Sequence, residues 1–134
     1  MKYLILAIVL SACFCWGNTS QGETPKAPPS KPVTVSGTLL DAYCYMREGD
    51  LTNNHINLKN CGTECLKEGL PAGILADGKL YVLIFPGTVF SDYLYQPVEV
   101  IGELYGESDL IPSKVTVMVN GKKKNLKLAG KVMM

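Results

Sequence analysis

A single histidine, His55, stands in 134 residues, and no G-x-S-x-G turn accompanies it. A Ser–His–acid triad therefore has almost nothing to be built from. Also missing are a C-x-x-C-H haem-attachment motif, a C-x-x-C pair, a glycine-rich phosphate loop and a dinucleotide fingerprint. Those absences argue against covalent haem, a thioredoxin-like dithiol and a bound nucleotide. Neither sign of charge is in excess, with 13 Lys+Arg against 12 Asp+Glu. Nucleic-acid binders neutralise phosphates with clustered cations, so no nucleic-acid partner is expected. The one basic run, Lys122-Lys123-Lys124, follows Asn120-Gly121 and reads as a solvated hairpin edge. Lysines there discourage the addition of a foreign strand. The apolar run that opens the chain ends at Leu10, too short to span a bilayer as a permanent helix.

That run has the length of a signal peptide, with Lys2 as its positive start. It ends in Leu10-Ser11-Ala12-Cys13, which resembles the lipobox of bacterial lipoproteins. The resemblance implies cleavage before Cys13 and acylation of its thiol, and several acyl chains hold a protein on a membrane far better than one. Residues 1–12 are then the lipoprotein signal peptide and Cys13 the lipid anchor. Phe14 follows where an aspartate would retain the protein at the inner membrane. The resemblance thus implies an outer-membrane lipoprotein facing the periplasm in a Gram-negative cell. The alternative is an ordinary secretory signal cut near Cys13 or Gly17.

Residues 13–32 are the lipidated N-terminus and a spacer. Pro25, Pro28, Pro29 and Pro32 favour an extended path, and few apolar groups offset the entropy of ordering it. Residues 33–134 make one domain, long enough for a modest core. Val33, Val35, Gly37 and Leu39 alternate with polar residues, and so do Val98, Val100, Gly102 and Leu104. Both runs carry V-x-V-x-G, where a strand glycine marks a bulge or bend. Asp77-Gly78 joins the β-like runs 74–76 and 79–85, and Asn120-Gly121 joins Val115 to Val119 with Lys123 to Leu128, and both signal hairpins. A helix is expected from Cys61 to Glu68, with Asn60 as N-cap, Gly69 past its end and Pro71 blocking continuation. A short turn is expected near Val89 to Leu94. The fold class is mainly β: a small OB-like barrel of five to six strands with a Cys-bearing helical insertion, Tyr43 to Leu70, after strand 1. Such an insertion is where function sits.

The insertion holds the chemistry. Beyond Cys13 and the adjacent Cys15, the domain has Cys44, Cys61 and Cys65. Cys61 and Cys65 are four apart on the expected helix and share a face, with Cβ atoms roughly 5–6 Å apart. A disulfide wants about 3.8 Å between Cβ atoms, so bonding them would distort the helix. A metal ion spans the gap through thiolate bonds of about 2.3 Å. Cys44, at the end of the first strand, and His55 complete a Cys3His set suited to Zn or to Cu(I). The helix N-terminus also favours a thiolate at Cys61. Asp41 is expected either to accept from His55 behind the ligands or simply to end the strand. Met46, Met133 and Met134 are secondary candidates for copper, and the tyrosines read as packing. The alternative is a structural disulfide from Cys44 to Cys61 or Cys65, which an exporting compartment favours.

Gly37-x-x-x-Asp41-x-x-Cys44, Cys61-x-x-x-Cys65, Gly69-x-Pro71-x-Gly73-Ile74-Leu75 and Gly78-Lys79-Leu80-Tyr81 together resemble a group of small exported bacterial proteins of unassigned activity. The resemblance covers about half of the domain and implies a shared fold. The expected function is a non-enzymatic, membrane-anchored domain that binds a transition metal, with membrane lipid and an envelope protein as partners. A disulfide-stapled interaction module and a thiol–disulfide redox protein, with Cys61 attacking and Cys65 resolving, remain as alternatives.

Overall fold

The computed structural model describes residues 29–49, 52–54 and 58–129. The expected signal peptide, Cys13, Cys15, most of the spacer, His55, Met133 and Met134 lie outside them. No helix among the described residues is long and apolar enough to cross a membrane. The elements run β1 (Ser30–Asp41), α1 (Ala42–Glu48), α2 (Cys61–Lys67), β2 (Ala72–Ala76), β3 (Lys79–Leu83), two short 3₁₀ turns (Gly87–Val89 and Ser91–Tyr93), β4 (Pro97–Tyr105), β5 (Asp109–Val119) and β6 (Lys122–Leu126).

The chain is mainly β, as expected. All six strands belong to one sheet in the order β3-β2-β1-β4-β5-β6, with antiparallel neighbours. In addition β3 meets β5 in parallel, with Val82 beside Asp109 and Leu83 beside Leu110. Both hairpins form where Asp-Gly and Asn-Gly place them. Asp77 and Gly78 have φ of 50° and 76°, and Asn120 and Gly121 have φ of 51° and 74°. Two successive residues with positive φ match the right-handed twist of the flanking strands.

The alternation read in β4 is the burial pattern observed, with Val98, Val100, Gly102 and Leu104 turned inward. At Gly102 the register with β5 shifts, and a Cβ there would stand 2.2 Å from the Ile111 carbonyl oxygen. The bulge also explains why β5 begins at Asp109, well before the expected Val115. Pro112 pairs with Gly102 at the irregularity, where the donor that proline lacks is least missed. Gly37 does comparable duty in β1, since its Cβ would come within 2.3 Å of the Leu75 carbonyl oxygen. There β1 leaves a stretch paired only with β4 and gains β2 on its other side. β1 also starts at Ser30, three residues into the expected spacer. That stretch has one open edge, so Pro32 is tolerated in it.

The inward side chains make one core, in which Leu39, Leu66, Ile74, Leu83, Phe90, Val100, Leu110, Val115 and Val117 are essentially inaccessible to water. Phe85 and Phe90 meet edge to face, with ring centroids 6.1 Å apart. Leu66 is the contribution of α2, and it joins the helix that carries Cys61 and Cys65 directly to the core. Tyr81, Tyr93 and Tyr95 pack against the same core, in line with their reading as packing residues. The expected turn near Val89 is the pair of 3₁₀ turns. At the far end of the sheet β6 pairs only with β5, and Lys122 to Lys124 are exposed along it.

Candidate metal centre

Two short helices bring the cysteines together. The first, α1, was not expected: Cys44 lies in its first turn rather than at the end of a strand. Asp41 is the cause. Its backbone is extended, and Oδ1 accepts from the N–H groups of Tyr43 (3.0 Å) and Cys44 (3.2 Å), donors that a helix start otherwise leaves unpaired. Gly49, with φ 68°, ends the helix by donating its N–H to the Tyr45 carbonyl at 2.8 Å. The only local signal lies at its ends, an aspartate before helix-tolerant residues and a glycine after them. Asp41 thus ends β1, as one of its two expected roles had it, and caps α1 as well.

The second helix begins at Cys61 as expected, but its cap is different. Asn60 is in the left-handed conformation and its side chain makes no cap bond. A capping side chain needs an extended backbone to reach the N2 or N3 donor. Asn53 does this from the preceding loop. Its Oδ1 accepts from Thr63 N–H at 2.9 Å, its Nδ2 donates to Thr63 Oγ1 at 2.9 Å, and its carbonyl accepts from Gly62 N–H at 3.4 Å. Nothing local in the sequence marks Asn53, because its partner lies ten residues away. Past the other end, Gly69 takes φ 94°, as its expected position requires, and the Cys65 carbonyl accepts from Leu70 N–H. Replacing Asn53 with alanine should lower stability by about 1 kcal/mol, the usual cost of a lost cap. Urea denaturation would show a lower midpoint at an unchanged slope.

The geometry of the sulfurs is the central observation. Cys65 Sγ lies 4.0 Å from Cys44 Sγ and 4.0 Å from Cys61 Sγ, and all three sulfurs lie within 4.8 Å of one another. None of the three is in a disulfide. Four thiolates at zinc–sulfur bonds of about 2.3 Å would stand about 3.8 Å apart, so the three sulfurs are within a small rotamer adjustment of a common ion. Cys44 is buried, whereas Cys61 and Cys65 are half-buried. Asp41 stands behind Cys44, not in the sulfur set. Met46 is exposed on the outer side of α1. His55, the expected fourth ligand, lies outside the described residues.

Burial pushes the Cys44 thiol well above the ordinary cysteine range, and the Asp41 carboxylate beside it adds to the effect. Burial, followed by the Asp41 charge, pushes Cys65 up to about 11. Both thiols therefore keep their protons in the folded, reduced, metal-free protein at pH values where the unfolded chain, near 9.0, has released them. The unfolded state then binds fewer protons, and stability falls as pH rises. The stabilisation is complete below 9.0 and is lost progressively toward 11. Melting curves recorded across that interval should show the decline, and a flatter one in Cys44→Ala. With metal bound, stability should instead rise with pH below 9.0, because metal displaces thiol protons and is held more tightly as pH rises.

Comparison with other proteins contributes no assignment: no family model, no curated protein and no solved structure matches the chain.

Proposed function

We propose that this domain binds one transition-metal ion, zinc or copper, through Cys44, Cys61 and Cys65, with His55 as the fourth ligand, and that it has no catalytic activity of its own. The convergence of three sulfurs from two helices, all within 4.8 Å of one another, carries this reading. Thiolates are the ligands that soft and borderline ions select. We further propose that the domain works as an exported lipoprotein, acylated on Cys13, lifted from the membrane by the residues that precede β1, and positioned to meet an envelope protein. In a Gram-negative cell its place would be the outer membrane, facing the periplasm. For the fold we propose an OB-like barrel. The pairing of β3 with β5 brings together the two ends of the five-strand order β3-β2-β1-β4-β5, which supports that reading.

The distance that suits an ion also favours a second reading. Cys44 and Cys65 Sγ, at 4.0 Å, need only a side-chain rotation and a small approach to form a disulfide that clasps α1 to α2. One experiment separates the two. Protein isolated from the exporting cell is analysed for metal and for free thiols. One ion per chain, with the domain's three thiols titratable after chelation, supports the metal site. No ion and a single domain thiol supports the clasp and overturns the metal site. The anchor is tested in the same cells. Cys13→Ser should move the protein from the membrane fraction to the soluble fraction, and an unchanged distribution would overturn the lipid anchor.

A further inference from the structure

Among the described residues, one buried side-chain oxygen or nitrogen has no hydrogen-bond partner, and it is Oδ2 of Asp41. The residue is only 1% exposed. Its other oxygen, Oδ1, is occupied by the Tyr43 and Cys44 N–H groups. A buried carboxylate with one oxygen lacking a hydrogen-bond partner is costly, because water has been removed from it. Helix capping does not explain the cost. Asparagine or serine would cap α1 about as well and would carry no charge. Arg47, the cation nearest in sequence, pairs with Glu48 at 3.3 Å, and Lys67 of α2 pairs with Glu64 at 3.0 Å. What Asp41 does stand beside is the sulfur cluster: its Oδ1 accepts from the Cys44 N–H at 3.2 Å, and Cys44 Sγ lies 4.0 Å from Cys65 Sγ. An unsatisfied buried group of this kind calls for a specific explanation, and a missing cation is one.

Resting on the metal reading above, we infer that the Asp41 carboxylate, acting through space from behind Cys44, selects a doubly charged ion of the zinc class over the singly charged cuprous ion. The charge count gives the reason. Three thiolates around a monovalent ion leave two negative charges, and the carboxylate makes three. Around a divalent ion the same four anions leave two. The attraction between the carboxylate and the ion also doubles with the charge of the ion. A cuprous site gains nothing from a hard oxygen anion at its back, since soft sulfur donors already satisfy that ion. Asp41 is therefore a positioning and charge-setting residue, outside the set of ligand atoms.

The test uses the reduced full-length protein, its Asp41→Asn variant and its Asp41→Ser variant. Both variants keep a capping oxygen for α1. Zn²⁺ and Cu⁺ affinities are measured separately by competition with chromophoric chelators, and the metal-free proteins are melted. Both variants should lose at least about tenfold more affinity for Zn²⁺ than for Cu⁺, the scale on which groups behind metal ligands act. The metal-free variants should melt no lower than the parent, because the bare charge is gone. Equal losses for the two ions, with a lower melting temperature, would make Asp41 a purely structural cap and overturn the inference while leaving the metal site standing. Unaltered affinities would also overturn it. A parent protein that binds neither ion would sink the metal reading itself.

Discussion

Cys65→Ser should weaken zinc binding by about two to three decades. Cys65 is the sulfur in contact with both others, at 4.0 Å from each. Removing it leaves Cys44 on α1 and Cys61 at the start of α2 without the sulfur that joins them. Structural zinc sites in small domains bind with about 10–16 kcal/mol in all, so one ligand of four is worth roughly 3–4 kcal/mol. Serine nearly matches cysteine in volume, and Cys65 is only half-buried, so the metal-free fold should melt close to the parent. That contrast makes the result readable: metal affinity collapses while circular dichroism without metal is unchanged. Competition against a chromophoric chelator measures the first, and a thermal melt the second. A Cys65→Ser protein that holds zinc as tightly as the parent would mean that the three sulfurs do not act as one site.

The second large effect is expected at a residue with no chemistry. Gly87→Ala should cost about 2–3 kcal/mol, the upper range for overpacking a well-filled site. For a domain of this size, that lowers the melting temperature by about 10–20 °C. A Cβ at position 87 would stand 2.1 Å from the Leu70 carbonyl oxygen, 3.2 Å from Leu66 Cδ2 and 3.3 Å from the Leu66 carbonyl oxygen. Two of these are backbone atoms at the end of α2 and just beyond it, and they cannot rotate away. The first 3₁₀ turn or the end of α2 must move, and Leu66 is drawn from the core as it does. Cys65 is the next residue, so metal affinity should fall along with stability. Gly69→Ala gives a useful comparison, because a Cβ there meets nothing within 4 Å and its cost comes from φ +94° alone. A Gly87→Ala protein with the parent's melting temperature would show that α2 does not press on this turn.

What the sequence made legible follows the range of the interactions involved. The Asp77-Gly78 and Asn120-Gly121 hairpins, the alternation of β4 and the span of α2 are decided by neighbours a few residues apart, and they stand where the residues put them. Elements decided by distant partners were misplaced or missed. Asn53 caps α2 from ten residues upstream, so the nearest asparagine, Asn60, drew the expectation. The early start of β5 depends on Pro112 lying opposite the bulge at Gly102, a fact of pairing that no window along β5 contains. α1 was hidden for another reason. It has seven residues and two buried side chains, Ala42 and Cys44, too few to show a helical period. For the site, helix spacing put Cys61 and Cys65 on one face and they are indeed adjacent. The approach of Cys44 depended on α1 and on the docking of Leu66, neither of which spacing could supply.

Leu66 has a consequence for how an ion would come and go. It is completely enclosed, and it is next in the chain to the central sulfur. Swinging α2 away to release cargo would drag that leucine out and leave a void worth about 2–5 kcal/mol, so the helix would be a costly door. If the site holds an ion, exchange with an acceptor would begin at the half-buried sulfurs, Cys61 and Cys65, with enclosed Cys44 letting go last. The fold would therefore make delivery a stepwise hand-over to a partner thiol, and spontaneous leakage slow.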